Sequence, residues 1–214
     1  MQLKLYYAPR TCALVPFVTL TEASADFTVE NVDSRSGQLH TPEYLRVNPK
    51  HKVPVLMIDG DPLTENLAIQ LWIARQYPAA RLLPADPRAE IEAVSLMSWF
   101  GSSIHPHLTP NARPGNYCDL PGSEESVKRA GNKLLFEDFT LADKMLAGRV
   151  WFFDHFTAID AYFFWCVRRA LSFDLNLARF ENCLAHFARM RDRPSAQKVE
   201  AHEREVLAAF ARAA

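Results

Sequence analysis

Apolar and β-branched runs separated by turn residues fill the first 78 positions, and helical periodicity takes over from about position 88. "LKLYY", "FTVENVD" and "VPVLMID" read as strands. "CALVPFVTLTEA" and "ENLAIQLWIARQY" carry the three-to-four-residue spacing of helices. "IDGDPL" holds the turn residues that join a third strand to a fourth as a hairpin. The predicted order is β-α-β, a short helix or loop around "TPEYL", then β-β-α. "AARLLPADP", residues 79–87, has two prolines and links this half to the rest. From Arg88 onward only helical patterns occur, with loops at "TPNARPGNYCDLPGS", "AGRVWFFDHF" and "SFDLN".

"FTAIDAYFF" contains a capping box. The Thr157 hydroxyl can accept the N–H of the third helical residue while the Asp160 carboxylate reaches back to the Thr157 N–H. The helix it starts, Ala158 to about Leu171, has almost no polar face, so it is expected to be buried in the middle of a helical domain. Pro16 lies too deep in "CALVPFVTLTEA" for an ideal first-position proline and predicts a distorted first helix.

Composition narrows the function classes. The 214-residue chain carries a formal charge of −1 with both signs scattered, which argues against a nucleic-acid stripe or a polybasic membrane patch. The N-terminus enters a strand without a basic segment or long apolar segment, so no signal peptide is expected, and no window supplies the ~20 apolar residues of a membrane span. A cytoplasmic protein is the expectation. Cys12, Cys118, Cys166 and Cys183 have no paired metal-ligand spacing and read as reduced thiols; no bound metal is expected.

Chemistry concentrates at three places. With the first strand ending at Tyr7 and Thr11 capping the following helix, Cys12 would stand in the first helical turn, where free N–H groups and the helix dipole favour thiolate, with Arg10 nearby. On position alone a small buried apolar residue under the sheet is an equal reading. In "HKVPVLMID", a cis peptide between Val53 and Pro54 would leave the Val53 N–H and C=O facing outward to hold an extended peptide, whereas an ordinary trans proline would simply open an edge strand. In "PLTENLAIQLW", Glu65 and Asn66 in a first helical turn suit an ammonium and a carboxylate, or serve only as a helix cap with Thr64.

Together, "YYAPRTCALVPFVTLTEA", "NPKHKVPVLMIDGDPLTENLAI" and "FTAIDAYFF" resemble the glutathione transferase superfamily in order and spacing, across nearly the whole chain. The cysteine at position 12 looks most like the bacterial beta class. The resemblance implies an α/β thioredoxin-like glutathione-binding domain at residues 1–78, a linker at 79–87 and an all-helical domain at 88–214. It also implies a homodimer, for which the segment "AVSLMSWF" offers apolar and aromatic residues.

Glutathione is the implied co-substrate. Val53 beside cis Pro54 would hold its cysteinyl part, Glu65 and Asn66 its γ-glutamyl end, and Arg10, Thr11 and Lys52 would complete the binding site. Cys12 would lie near the glutathione sulfur, and His105 in "SSIHPHLTP" matches a histidine that assists binding or catalysis. The expected reaction is conjugation of glutathione to small hydrophobic electrophiles, thiol exchange through a mixed disulfide at Cys12, or both. The alternative is a non-catalytic member that binds glutathione or a hydrophobic ligand. Asn66 stands where the superfamily usually has serine, Lys52 where the beta class often has glutamine, Ser98 where it often has asparagine, and Arg169 where it often has a tryptophan beside the electrophile pocket.

Overall fold

Strand β1 (Leu3–Tyr7) buries Leu3, Leu5 and Tyr7 and turns Lys4 to solvent, the period-two alternation of a strand with one covered face. It lies at the centre of a four-stranded sheet in the computed structural model, which describes residues 1–213. β2 (Thr28–Asn31) pairs parallel to β1, with Leu5 opposite Val29. β3 (Val55–Ile58) pairs antiparallel on the other side, with Leu5 opposite Leu56, and β4 (Asp61–Thr64) completes the order β2-β1-β3-β4. The hairpin predicted at "IDGDPL" forms through Asp59 and Gly60, both left-handed at φ 50° and 100°, the backbone a two-residue turn needs to match strand twist. Pro62 sits on the edge strand, where its missing N–H costs least.

Helix α1 (Leu14–Glu22) covers the sheet and buries Leu14, Val15, Phe17, Val18 and Leu20, each such side chain stabilising the fold by about 1.5–3 kcal/mol. Pro16 is its third residue, so the N–H it lacks is one that would have no partner inside the helix. The predicted distortion has no cause once the helix begins at Leu14. Helix α2 (Pro42–Val47) is the element expected at "TPEYL"; it starts at Thr41, whose hydroxyl accepts the Tyr44 N–H at 3.3 Å. Tyr44 packs with Val32 and Leu39. Helix α3 (Asn66–Gln76) follows β4.

The chain divides into two units: Met1–Leu83 together with the chain from Arg191 onward, and Pro84–Met190. The final helix therefore belongs to the sheet-containing unit. In the helical unit, α4 (Pro87–Trp99) runs into a π-helical turn at Phe100–Ile104 and then α5 (His105–Ala112). Helix α5 extends into the stretch expected to be loop from Thr109, so irregular chain starts at Arg113. Long α6 (Glu124–Leu146) packs close to α5; a Cβ built on Gly131 would lie 2.7 Å from Pro110 Cγ. Helices α7 (Ala158–Leu171) and α8 (Glu181–Arg191) complete the unit.

Helix α7 is buried nearly all round, as its sequence predicts, and its capping box forms. The Asp160 carboxylate, fully buried, accepts the Thr157 N–H (2.8 Å), the Thr157 hydroxyl (2.9 Å) and the Phe152 N–H (3.1 Å), and lies 3.0 Å from His186 Nε2 on α8. Four partners offset the desolvation of one buried carboxylate. Around them Phe163 meets Phe100, Phe139 and Phe152 at ring separations of 5.5, 6.0 and 5.2 Å. Ala93, Met97 and Phe100 of "AVSLMSWF" are buried in this core, while Val94, Leu96 and Trp99 are partly exposed.

Helix α9 (Pro194–Ala213) is stitched to α1 and the sheet. The Arg193 guanidinium just before it donates to both Glu22 carboxylate oxygens, at 2.9 and 2.8 Å, and the Ser195 hydroxyl also donates to Glu22. The His202 ring packs on Tyr7 and Phe17, with its Nε2 2.8 Å from Asn31 Oδ1. Burial holds the His202 pKa below its ordinary value, against the neighbouring Glu205 and Glu203. Among the described residues no helix is long and apolar enough to cross a membrane.

Candidate active site

The segment from Ala8 to Ala13 carries Cys12 between β1 and α1. The Ala8 carbonyl accepts the Thr11 hydroxyl at 2.7 Å and the Thr11 N–H at 3.3 Å, which closes a tight turn with Arg10 in the left-handed region at φ 64°. Thr11 is not the cap residue expected from the sequence: α1 starts at Leu14 after Ala13, and the Thr11 hydroxyl accepts the Ala13 N–H at 3.3 Å. Cys12 thus precedes the helix instead of sitting in its first turn. Its carbonyl accepts the Val15 N–H at 3.1 Å and an Asn66 side-chain N–H at 2.9 Å.

Cys12 is 8 % exposed, and its thiol donates weakly to the Val53 carbonyl at 3.7 Å. Burial pushes its pKa up to about 12, against a hydrogen bond from Asn66 and the positive charge of Lys52, while Glu65 adds to the rise. This corrects the expectation of a thiolate. The dipole argument requires the sulfur to face the open end of a helix in partial contact with water, and here desolvation of the charged form outweighs the nearby donors. At neutral pH Cys12 holds its proton.

Val53 precedes Pro54 across a cis peptide bond, the geometry anticipated in the sequence, and β3 begins only at Val55. The segment leading to it is held by residues not singled out from the sequence. The Lys52 carbonyl accepts the Tyr44 hydroxyl at 2.8 Å and the Asn48 side-chain N–H at 2.7 Å. Asn48 Oδ1 also accepts the Lys50 N–H at 3.1 Å. Burial raises the Tyr44 pKa, so its hydroxyl stays a donor.

Glu65 occupies the position before α3 with φ 71°, a backbone conformation uncommon for a non-glycine residue. Its exposed carboxylate is 2.6 Å from Lys50 Nζ, which also donates to the Thr64 hydroxyl at 2.9 Å. Lys50 was legible only as part of "NPKHKVP"; its partnership with Glu65, fifteen positions on, has no local sequence signal. Asn66 is buried and spends a side-chain N–H on the Cys12 carbonyl, while its Oδ1 accepts from Gln70 at 3.4 Å. It therefore ties α3 to the Cys12 turn. The first N–H groups of α3 lack intrahelical partners and give that end a positive character. Cys12, Val53, Asn66 and, through Lys50, Glu65 form one connected cluster.

His105 is carried by the helical unit, as the first residue of α5 directly after the π-helical turn. Its ring meets Trp165 edge to face at 4.4 Å between centroids. Such π turns rotate the residues that follow and often occur at functional positions. Two residues on, His107 Nδ1 is 2.6 Å from Asp138 Oδ2, and Trp99 Nε1 donates to Asp138 Oδ1 at 3.2 Å. The Arg169 guanidinium lies 4.3 Å from the centre of the Phe173 ring. Among the described residues no cluster of three or more His, Cys, Asp or Glu side chains has the arrangement of a metal site.

Comparison with known proteins gives the family. The model of the glutathione S-transferase N-terminal domain matches residues 1–75. Glutathione S-transferase GstA of Escherichia coli O157:H7 is 33 % identical over 91 % of this chain and 96 % of its own. Among solved structures, a bacterial beta class glutathione S-transferase from Sphingomonas chungbukensis is 31 % identical with a TM-score of 0.81. A sphingomonad glutathione S-transferase complexed with glutathione is 30 % identical with the same score, and both alignments cover 94 % of this chain and 98 % of theirs. With a relative of that identity aligned almost from end to end, the chain belongs to the glutathione S-transferase family.

Proposed function

We propose that the protein is a cysteine-type glutathione transferase of the beta class, conjugating glutathione to small hydrophobic electrophiles. The observation that carries this reading is the connected cluster of Cys12, the Val53 backbone, Glu65 and the start of α3. In this reading the Val53 N–H and C=O pair with the cysteinyl residue of glutathione, Glu65 holds its ammonium, and the first N–H groups of α3 hold its γ-glutamyl carboxylate. Arg10, Thr11 and Lys52 frame the binding site, and His105 assists binding or proton transfer. The likeness to a sphingomonad enzyme complexed with glutathione supports the choice of ligand.

A buried Cys12 with a pKa of about 12 favours one chemistry over the other. A protonated thiol is a hydrogen-bond donor: it can stabilise the thiolate of glutathione, whose own proton passes to solvent. The glutathione sulfur then forms its bond to the electrophilic carbon as the bond to the leaving group breaks, and the leaving group departs with the electron pair. Thiol exchange would instead require Cys12 itself as thiolate, the form that burial disfavours, so conjugation is the principal activity. Homodimerisation and a cytoplasmic location complete the proposal; a monomeric mass at micromolar concentration would remove the first.

Steady-state kinetics with glutathione and an aryl chloride activated by nitro groups test the reading. Cys12→Ala is expected to lower kcat/KM at least tenfold, and Cys12→Ser, which keeps a donor, by less. Equal rates for wild type and Cys12→Ala would refute a catalytic Cys12. Absence of turnover, with glutathione still bound, would favour the non-catalytic alternative.

A further inference from the structure

We propose that Glu203, on the last helix, is a positioning residue that sets where the Cys12 thiol stands. This rests on the reading of Cys12 given above. Glu203 is 4 % exposed, and one of its carboxylate oxygens accepts both the Arg10 N–H at 2.6 Å and the Tyr7 hydroxyl at 2.8 Å. Those donors lie at the end of β1 and within the turn that leads to Cys12. Arg10 has φ 64°, a conformation that L side chains adopt only when their surroundings impose it. Here the charge-assisted bond from its N–H supplies that constraint.

Arg10 is two residues from Cys12; the Thr11 bonds to Ala8 hold the near side of this turn, and the Val15 N–H and the Asn66 side chain hold the Cys12 carbonyl on its far side. Loss of the bond at Arg10 would release the left-handed side of this turn, and the sulfur would shift relative to the Val53 carbonyl, 3.7 Å away. Glu203 is not needed merely to dock α9, because the paired Arg193–Glu22 bonds and the His202–Asn31 bond hold that helix independently. The Cys12 turn thus depends on a residue 191 positions away, counted from the sequence.

Three variants test this: Glu203→Ala, Glu203→Gln and, as a docking control, Arg193→Ala. In the conjugation assay Glu203→Ala is expected to lower kcat at least tenfold, since displacements near 1 Å can cost ~100-fold, with KM for glutathione changed less than threefold. Arg193→Ala should lower the melting temperature and leave kcat within twofold. Glu203→Gln replaces a charged acceptor by a neutral one of the same shape and should fall between, with kcat down two- to fivefold. An unchanged kcat in Glu203→Ala, or an equal loss in Arg193→Ala, overturns the proposal. If the alanine variant does not fold, an unchanged kcat in Glu203→Gln does so. Cys12→Ala run alongside separates the two readings. Should it match wild type, the catalytic reading of Cys12 fails, and Glu203 is judged by deuterium exchange at the Arg10 amide, expected to be at least tenfold faster in Glu203→Ala or Glu203→Gln; unchanged exchange overturns the proposal.

Discussion

Raising the pH through the alkaline range perturbs Cys12 directly. Burial lifts its pKa from an ordinary 9.0 to about 12, so at pH 8 the thiolate fraction is roughly a thousandth of that of a free cysteine. Cys118 provides the comparison inside the same molecule, because a hydrogen bond from Ser123 lowers its pKa and it lies outside the core. Alkylation with iodoacetamide from pH 7 to 11, read peptide by peptide by mass, should label Cys118 first. For Cys12 the rate should still be rising at pH 11; the midpoint of the curve, unlike the rate itself, separates ionisation from access. The same difference is a stability term. A group whose folded pKa is raised stabilises the protein fully below its unfolded pKa, and the contribution is lost as pH climbs to the folded value. Here the window is pH 9 to about 12, and at ~1.4 kcal/mol per pH unit the whole contribution is roughly 4 kcal/mol. Cys12→Ala should lack this alkaline loss in denaturant titrations. A Cys12 midpoint at or below 9, or labelling of Cys12 ahead of Cys118, would refute the reasoning and restore a thiolate mechanism.

Asp160→Ala strips a buried carboxylate from four partners and leaves His186 and two backbone N–H groups unpaired in the core; a loss of about 3–5 kcal/mol is expected by urea unfolding. Gly131→Ala drives a Cβ into Pro110 and should cost about 1–3 kcal/mol, visible as a lower melting temperature with unchanged KM for glutathione. Lys50→Ala removes an exposed ion pair with Glu65, so stability should shift by less than about 1 kcal/mol. Glutathione KM should nevertheless rise several-fold, because the Glu65 carboxylate loses its support. A KM equal to wild type would detach Glu65 from glutathione binding.

What the sequence determined by itself is whatever depends on neighbours along the chain. The β1 run, the Asp59-Gly60 turn, the capping box at Thr157 and the unbroken apolar character of α7 each follow from a few adjacent residues, and each is present as read. The order of the Cys12, Val53-Pro54 and Glu65-Asn66 stretches likewise marked the family and the cluster. Tertiary structure decided what depends on distance in space. The start of α1 at Leu14, two residues later than the pattern suggested, follows from the Ala8–Thr11 turn and not from helix propensity. The Cys12 pKa is set by how much protein surrounds the sulfur, which no local spacing encodes. Lys50 meets Glu65, and Asn66 meets the Cys12 carbonyl, only because β3 folds back beside β1 and β4 beside β3. The last helix read as part of the helical domain because helical periodicity reports an apolar face without naming what covers it; Glu22, Asn31 and the Arg10 turn, each more than 170 positions from the residue it meets there, supply its partners.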